Sequence, residues 1–139
     1  MSEPNLSIDL KPGLVRAVVA GAFDIKQAKQ VFARILATAI AERRSRVLID
    51  CRGVTSIPST AERFELSTFI AGSQREVLRT GKLPELRVAI FGNRPFIDPK
   101  RFGETVALNR GASFKAAESE QEAMQWLEAE VDLRQESGE

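Results

Sequence analysis

The sequence predicts an α/β fold: a single-layer, mostly parallel mixed sheet of about five strands, opened by an N-terminal hairpin and carrying about four helices. Three observations lead there. Short apolar runs that stop at charge or glycine, Val47 to Ile49 and Arg87 to Phe91, look like strands buried on both faces. The segments around them repeat apolar residues at three- and four-residue spacing, which is helical. Strand and helix signals then alternate along the chain with no internal repeat and no domain boundary, the order of a layered α/β domain.

Taken in order, Met1 to Leu6 is polar and predicts a frayed start. Ser7-Ile8-Asp9-Leu10 alternates, and Lys11-Pro12-Gly13 places Pro and Gly as a type II turn wants them. Leu14 to Ala20 is the return strand of the hairpin, ended by Gly21. Asp24 is a candidate N-cap for a helix whose inner face is Ala28, Val31, Phe32, Ile35, Leu36, Ala39 and Ile40. Arg43 and Arg44 are placed in its last turn, where cations favour the helix dipole.

The central strand, Val47 to Ile49, is expected to surface at Asp50. Gly53 permits a turn, and Ser59 with Glu62 three residues on spells a capping box. A long helix from Thr60 to about Thr80 follows, with Ala61, Phe64, Phe69, Ile70, Val77 and Leu78 as core candidates. Gly72 inside it implies either a close neighbour or a bend, and Gly81 with Pro84 ends it. After the strand Arg87 to Phe91 and its Gly92-Asn93 stop, Arg94-Pro95-Phe96-Ile97 reads as a loop with two exposed apolar residues. Asp98-Pro99 is an N-cap and first-turn pair for a third helix running to Arg110, with Gly111 as its C-cap. Ala112 to Ala116 is a last strand. Ser119 and Glu122 form a second capping box for a helix with Ala123, Leu127 and Val131 inward and Met124 and Trp126 over the edge. The domain is drawn as residues 1–131, and the polar residues 132–139 as a tail.

A chain of 139 residues, 43% hydrophobic and 28% charged, suits one ordinary globular domain. Its net charge of +1 gives no general pull toward nucleic acid or an anionic membrane. The single cysteine, Cys51, cannot form an intramolecular disulfide, and neither a signal peptide nor a transmembrane run is present, so a cytoplasmic setting is expected. There is no histidine and no tyrosine. This removes Ser-His-Asp and Cys-His catalysis and the commonest zinc ligand, and argues against an enzyme, a metal site or a cofactor. Cys51, beside Asp50, is read as a small buried hydrophobe and not as a catalytic thiolate.

The stretch Val47-Leu48-Ile49-Asp50-Cys51-Arg52-Gly53-Val54-Thr55-Ser56-Ile57-Pro58-Ser59-Thr60-Ala61 resembles the core signature of STAS domains, best known from bacterial anti-sigma-factor antagonists. The match by residue is confined to this stretch; the order of elements is similar over most of the chain. The resemblance implies a non-enzymatic regulatory module whose partner is an anti-sigma factor or a kinase-like regulator. It also implies phosphorylation on the hydroxyl residue that precedes the signature's glycine. Thr60 stands at that position and Ser59 before it; Pro58 replaces the family's acid and Ala61 its glycine. Related STAS/CRAL-TRIO-like folds include carriers of apolar ligands, so a small lipid pocket is a further reading.

Two more sites come from the residues themselves. In a parallel sheet, Arg52, the Ser59/Thr60 helix start and the Asn93-Arg94 loop all emerge at strand C-terminal ends, where a guanidinium fork and helix N–H groups suit phosphate or a nucleotide. The alternative is that Arg52 pairs with Asp50 or another acid. Phe96 and Ile97, rimmed by Arg94 and Arg101, form either a protein-docking patch or a plug over the core. A homodimer is compatible with the composition. Asp50 at a strand end also resembles the phosphoacceptor of receiver domains, but these need an acidic pair after their first core strand, where this chain has Ala20-Gly21-Ala22-Phe23.

Overall fold

The computed structural model describes residues 5–129. Strands β1 (Asn5–Lys11) and β2 (Leu14–Gly21) form an antiparallel hairpin about Pro12-Gly13, with Gly13 at φ +68° as the turn requires. Then follow α1 (Ile25–Ala41), β3 (Arg46–Val54), α2 (Thr60–Arg79), β4 (Arg87–Phe91), α3 (Phe102–Asn109), β5 (Phe114–Ala117) and α4 (Glu120–Glu128). The sheet order is β1-β2-β3-β4-β5, and every pair after the hairpin is parallel. Asn5 and Leu6 are therefore strand residues, and the fraying expected through Leu6 does not extend to them. Val131 and the tail expected from Asp132 lie outside the described residues.

Consecutive parallel strands joined by right-handed crossovers carry all their helices on one face. Here α1, α2 and α3 share that front face over Val15, Ala17, Val47, Ile49, Val88 and Phe114. The alternate residues, Leu14, Leu48, Ala89 and Phe91, point to the back face, where α4 closes a smaller cluster with Ala123 and Leu127. Gly53 is needed where β3 passes β2: a Cβ there would lie 2.8 Å from the Cβ of Ala20.

Four local expectations are corrected. Helix α1 ends at Ala41, and Arg43 takes a left-handed conformation beyond it, so neither arginine lies in the last turn; Arg44 donates to the carbonyl of Lys11. In α2 the buried stripe is Ser67, Ile70, Ala71, Gln74 and Val77, while Phe64 and Leu78 are exposed at 44% and 43% and Ala61 is also exposed. Close packing against α3 selects this stripe. A Cβ on Gly103 would sit 2.9 Å from Ser67 Oγ, and Gln74 Nε2 donates to the Ser113 carbonyl at 3.2 Å. Helix α3 starts at Phe102, because Asp98 to Arg101 first closes a turn through Arg101 N–H to the Asp98 carbonyl, with Arg101 left-handed. At α4 only half the second capping box exists: Ser119 Oγ accepts from Glu122 N–H, but the Glu122 carboxylate accepts from Glu118 N–H.

Candidate functional site

All four parallel strands end on the same rim of the sheet, and the segments after them meet there. Thr55 N–H donates to the Gly21 carbonyl and Phe23 N–H to Ser56 Oγ, which ties the β3–α2 segment to the β2–α1 turn. Pro58 is buried while Ile57 stands 60% exposed. The capping box of α2 is complete: Ser59 Oγ accepts from Glu62 N–H at 3.1 Å, and Glu62 Oε1 accepts from Ser59 N–H at 2.8 Å. Thr60 and Ala61 open the helix exposed, followed by exposed Phe64 with the Arg110 guanidinium 5.0 Å over its ring.

Arg63, on the first turn of α2, reaches across to the β4–α3 loop. Its two Nη atoms donate to the carbonyls of Pro95 at 2.7 Å and Phe96 at 2.6 Å, next to a cis Arg94–Pro95 bond. The helix start and the loop at Arg94 are therefore neighbours, as the strand ends imply. Within that loop, the reading of two exposed apolar residues is corrected. Ile97 is only 2% exposed and belongs to the core, and Phe96 is half-buried with its ring 6.5 Å from that of Phe23. An apolar side chain placed over the open end of a sheet gains more from covering the core than from facing water.

Arginines on this rim are held by acids. Arg94 Nε donates to Glu118 Oε2 at 3.0 Å, Arg101 Nη2 joins the same oxygen at 3.3 Å, and the first of these bonds lowers the Glu118 carboxyl. Asn93 is exposed. Arg52 lies on the back face, its guanidinium 5.0 Å from the Phe91 ring centroid and forked onto Asp50 at 3.0 and 2.7 Å, with its backbone N–H also on Asp50 at 3.0 Å. Asp50 does not surface: it is 5% exposed, and β3 continues past it to Val54. Burial pulls the Asp50 carboxyl up, but the hydrogen bonds and charges of Arg52, with the Arg16 charge, outweigh this and hold it below the usual carboxylate value. Arg16 is 3.4 Å from Asp50 and forks onto Glu120 at 3.0 and 2.9 Å, which lowers the Glu120 carboxyl. The chain from the end of β5 into α4 thus supplies Glu118 to Arg94 and Arg101 and Glu120 to Arg16 and Arg52.

Sequence reasoning missed Arg16, Arg63, Phe23, Glu118 and Glu120. Arg16 left a usable signal, a lone charge within the apolar run Leu14 to Ala20 on the same strand face as Leu14. The others come from loops or helix starts, where no period marks a partner. Cys51 is buried on the front face, its thiol pushed up to about 12 by burial and by the nearby Asp50 charge.

No protein-family model and no curated protein matches the chain. Among solved structures it is similar to an anti-sigma factor antagonist from Mycobacterium paratuberculosis, with a TM-score of 0.58 at 12% identity over 91% of this chain and 95% of that one. A second, with a TM-score of 0.45 at 18% identity over 89% and 93% of the two chains, is an uncharacterized protein with a SpoIIAA-like fold from Shewanella loihica. At 12% identity the likeness to the mycobacterial structure speaks for the fold alone, which is STAS-like.

Proposed function

From a STAS-like fold whose second helix begins at an open rim, we propose a non-enzymatic regulatory module that binds a protein partner through that rim. The mycobacterial protein of similar fold is described as an anti-sigma factor antagonist, and the proposed role of this chain is of that kind. One observation carries the reading. Ile57 and Phe64, three residues before and four residues after Thr60 in the chain, are 60% and 44% exposed, and Thr60 itself is exposed between them in sequence. Exposed apolar anchors around a polar centre are what a partner interface uses.

The same arrangement supports control by phosphorylation, with Thr60 as acceptor ahead of Ser59. The Ser59 hydroxyl is committed to the cap, whereas Thr60 is exposed at the first helical position. A phosphate there would meet the N–H groups of the first turn and the positive end of the helix dipole. It would also place about two negative charges in the middle of an apolar contact. The reading expects Thr60→Ala to keep the partner in a pull-down and Thr60→Glu to lose it, with intact mass of the protein from cells showing an 80 Da addition, the mass of one phosphoryl group. Partners indifferent to both substitutions would remove the switch. Retention by an Ile57→Asp, Phe64→Asp double variant would remove the interface itself.

A further inference from the structure

An apolar opening lies between α1 and the end of the sheet, away from the first turn of α2. It is a cavity of about 80 Å³, walled by Val31, Phe32, Ile35, Ile49, Cys51 and Ile70. One water needs roughly 10–15 Å³ of such space and two or more polar partners to stay. This cavity has the room for several waters and, at its depth, walls that offer them almost nothing. Protein interiors carry few voids of this size, because unfilled space forfeits the contacts of every atom lining it. The opening reaches the surface at exposed Ala22 and Asp24, and Ala28 lines it where a longer side chain would fill it. Asp24 holds the only charge on the lining, and its carboxylate is turned to the cap of α1.

We propose that this cavity is a binding site for a small, uncharged, apolar molecule, and that its occupant acts on the α2 rim through Phe96. The size and the walls set the chemistry: the space suits a ring or a short branched hydrocarbon, is too small for a long acyl chain, and below its mouth is walled by apolar side chains that give an ion no partner. The route to the rim is a chain of direct contacts. Phe96 lines the cavity, packs on Phe23 at its mouth, and carries the carbonyl that accepts Arg63 from the first turn of α2. Phe96 is also, with Leu66, Ile70 and Ile90, a common wall with a second cavity of about 60 Å³ under α3. A guest that moves the Phe96 ring therefore moves the anchor of the α2 start. This site goes beyond the partner-binding reading and stands whether or not a partner docks at Thr60.

Indole and benzene are suitable probes, titrated into the full chain while methyl and amide NMR signals are followed. The expected result is a saturable shift at the methyls of Val31, Ile35 and Ile70, with the Arg63 and Phe96 amides moving in parallel and Leu127, on the far side of the sheet, unmoved. Indole should also slow the modification of Cys51 by methyl methanethiosulfonate. Ala28→Phe, checked for an intact fold by its Leu127 methyls, should abolish the saturable shifts. No saturation up to the solubility of either probe, or equal shifts at Leu127, overturns the site. Saturation at the cavity methyls with a still Arg63 amide overturns the link to the rim.

Discussion

The front face of the sheet is closed by three helices over a continuous apolar core, whereas among the described residues the back face carries the nine-residue α4, two buried anchors and a lattice of charge. On the front, side chains such as Leu36 and Ile35 each contribute about 1.5–3 kcal/mol by leaving water, and no particular pair is required. On the back, Ala123 and Leu127 do the same on a small scale. The rest of the attachment is directional: Arg16 to Glu120, and the Arg87 guanidinium to the carbonyls of Trp126, Leu127 and Ala129 at the end of α4. An apolar layer tolerates change of detail, while a layer of ion pairs depends on charge state. The difference makes α4 the element that acid should loosen first.

The largest effects test the apolar side of this contrast. Leu36→Ala on the front should lower global stability by about 2–5 kcal/mol in urea titration, since Leu36 is 7% exposed. Leu127→Ala, at 0% exposure, should cost a similar amount locally but act through α4, so the fluorescence of Trp126, the single tryptophan, should change at lower urea than the far-UV signal. Coincident transitions would mean that the two faces unfold as one and the contrast has no energetic content.

Next comes the charged side. Asp50→Asn keeps the shape but removes one of the two acids of the lattice, and should cost about 1.5–3 kcal/mol, the range for hydrogen bonds to charged groups. The acid dependence follows from direction alone. Asp50 and Glu120 both titrate lower in the folded protein than in the unfolded chain. The stability they contribute is present above the ordinary carboxylate range, about pH 4, and is lost as pH falls through their lowered folded values. Acid titration followed by Trp126 emission should therefore show α4 loosening below that range, with a shallower response in Asp50→Asn. An unchanged acid profile in the variant would detach Asp50 from the hold on α4.

The smallest effects concern α2, at its cap and at its interior glycine. Ser59→Ala removes the cap of α2 and should cost about 1 kcal/mol. Gly72→Ala should gain about 0.5–1 kcal/mol, because a Cβ there meets nothing nearer than the Arg75 guanidinium at 4.0 Å. A loss on Gly72→Ala in thermal melting would show that the helix needs the glycine after all. Neither close packing nor a φ that only glycine adopts holds that position.

Most of the frame could be read from neighbouring residues. The hairpin follows from Pro12-Gly13 between two strand-like runs, α1 from its spacing, the start of α2 from Ser59 and Glu62, and β4 from five apolar-rich residues before a glycine. Each is a local preference reinforced by burial, so chain order and composition carry it. Helix α2 misled because two polar residues, Ser67 and Gln74, occupy its buried stripe while Phe64 stays outside; only the contact with α3 explains that. The strand ends were legible as a meeting place, and Thr60 does emerge exposed there. Which arginine answers which acid was not, since Arg16 finds a partner 104 residues away and Arg94 one 24 residues away.

By itself, then, the amino-acid order determined the number and kind of elements, the parallel layering that follows from their alternation, and the hydroxyl-capped start of α2. Only the tertiary structure decided that Asp50 is covered, that Ile97 belongs to the core, that Glu118 holds Arg94 and Arg101 while Glu120 holds Arg16, and that an apolar cavity opens beside α1. The physical reason is range. Hydrogen bonds within a turn and the period of a helix or strand act over a few residues, whereas ion pairs, cavities and exposed faces depend on which distant segments the closed sheet brings within a few ångströms.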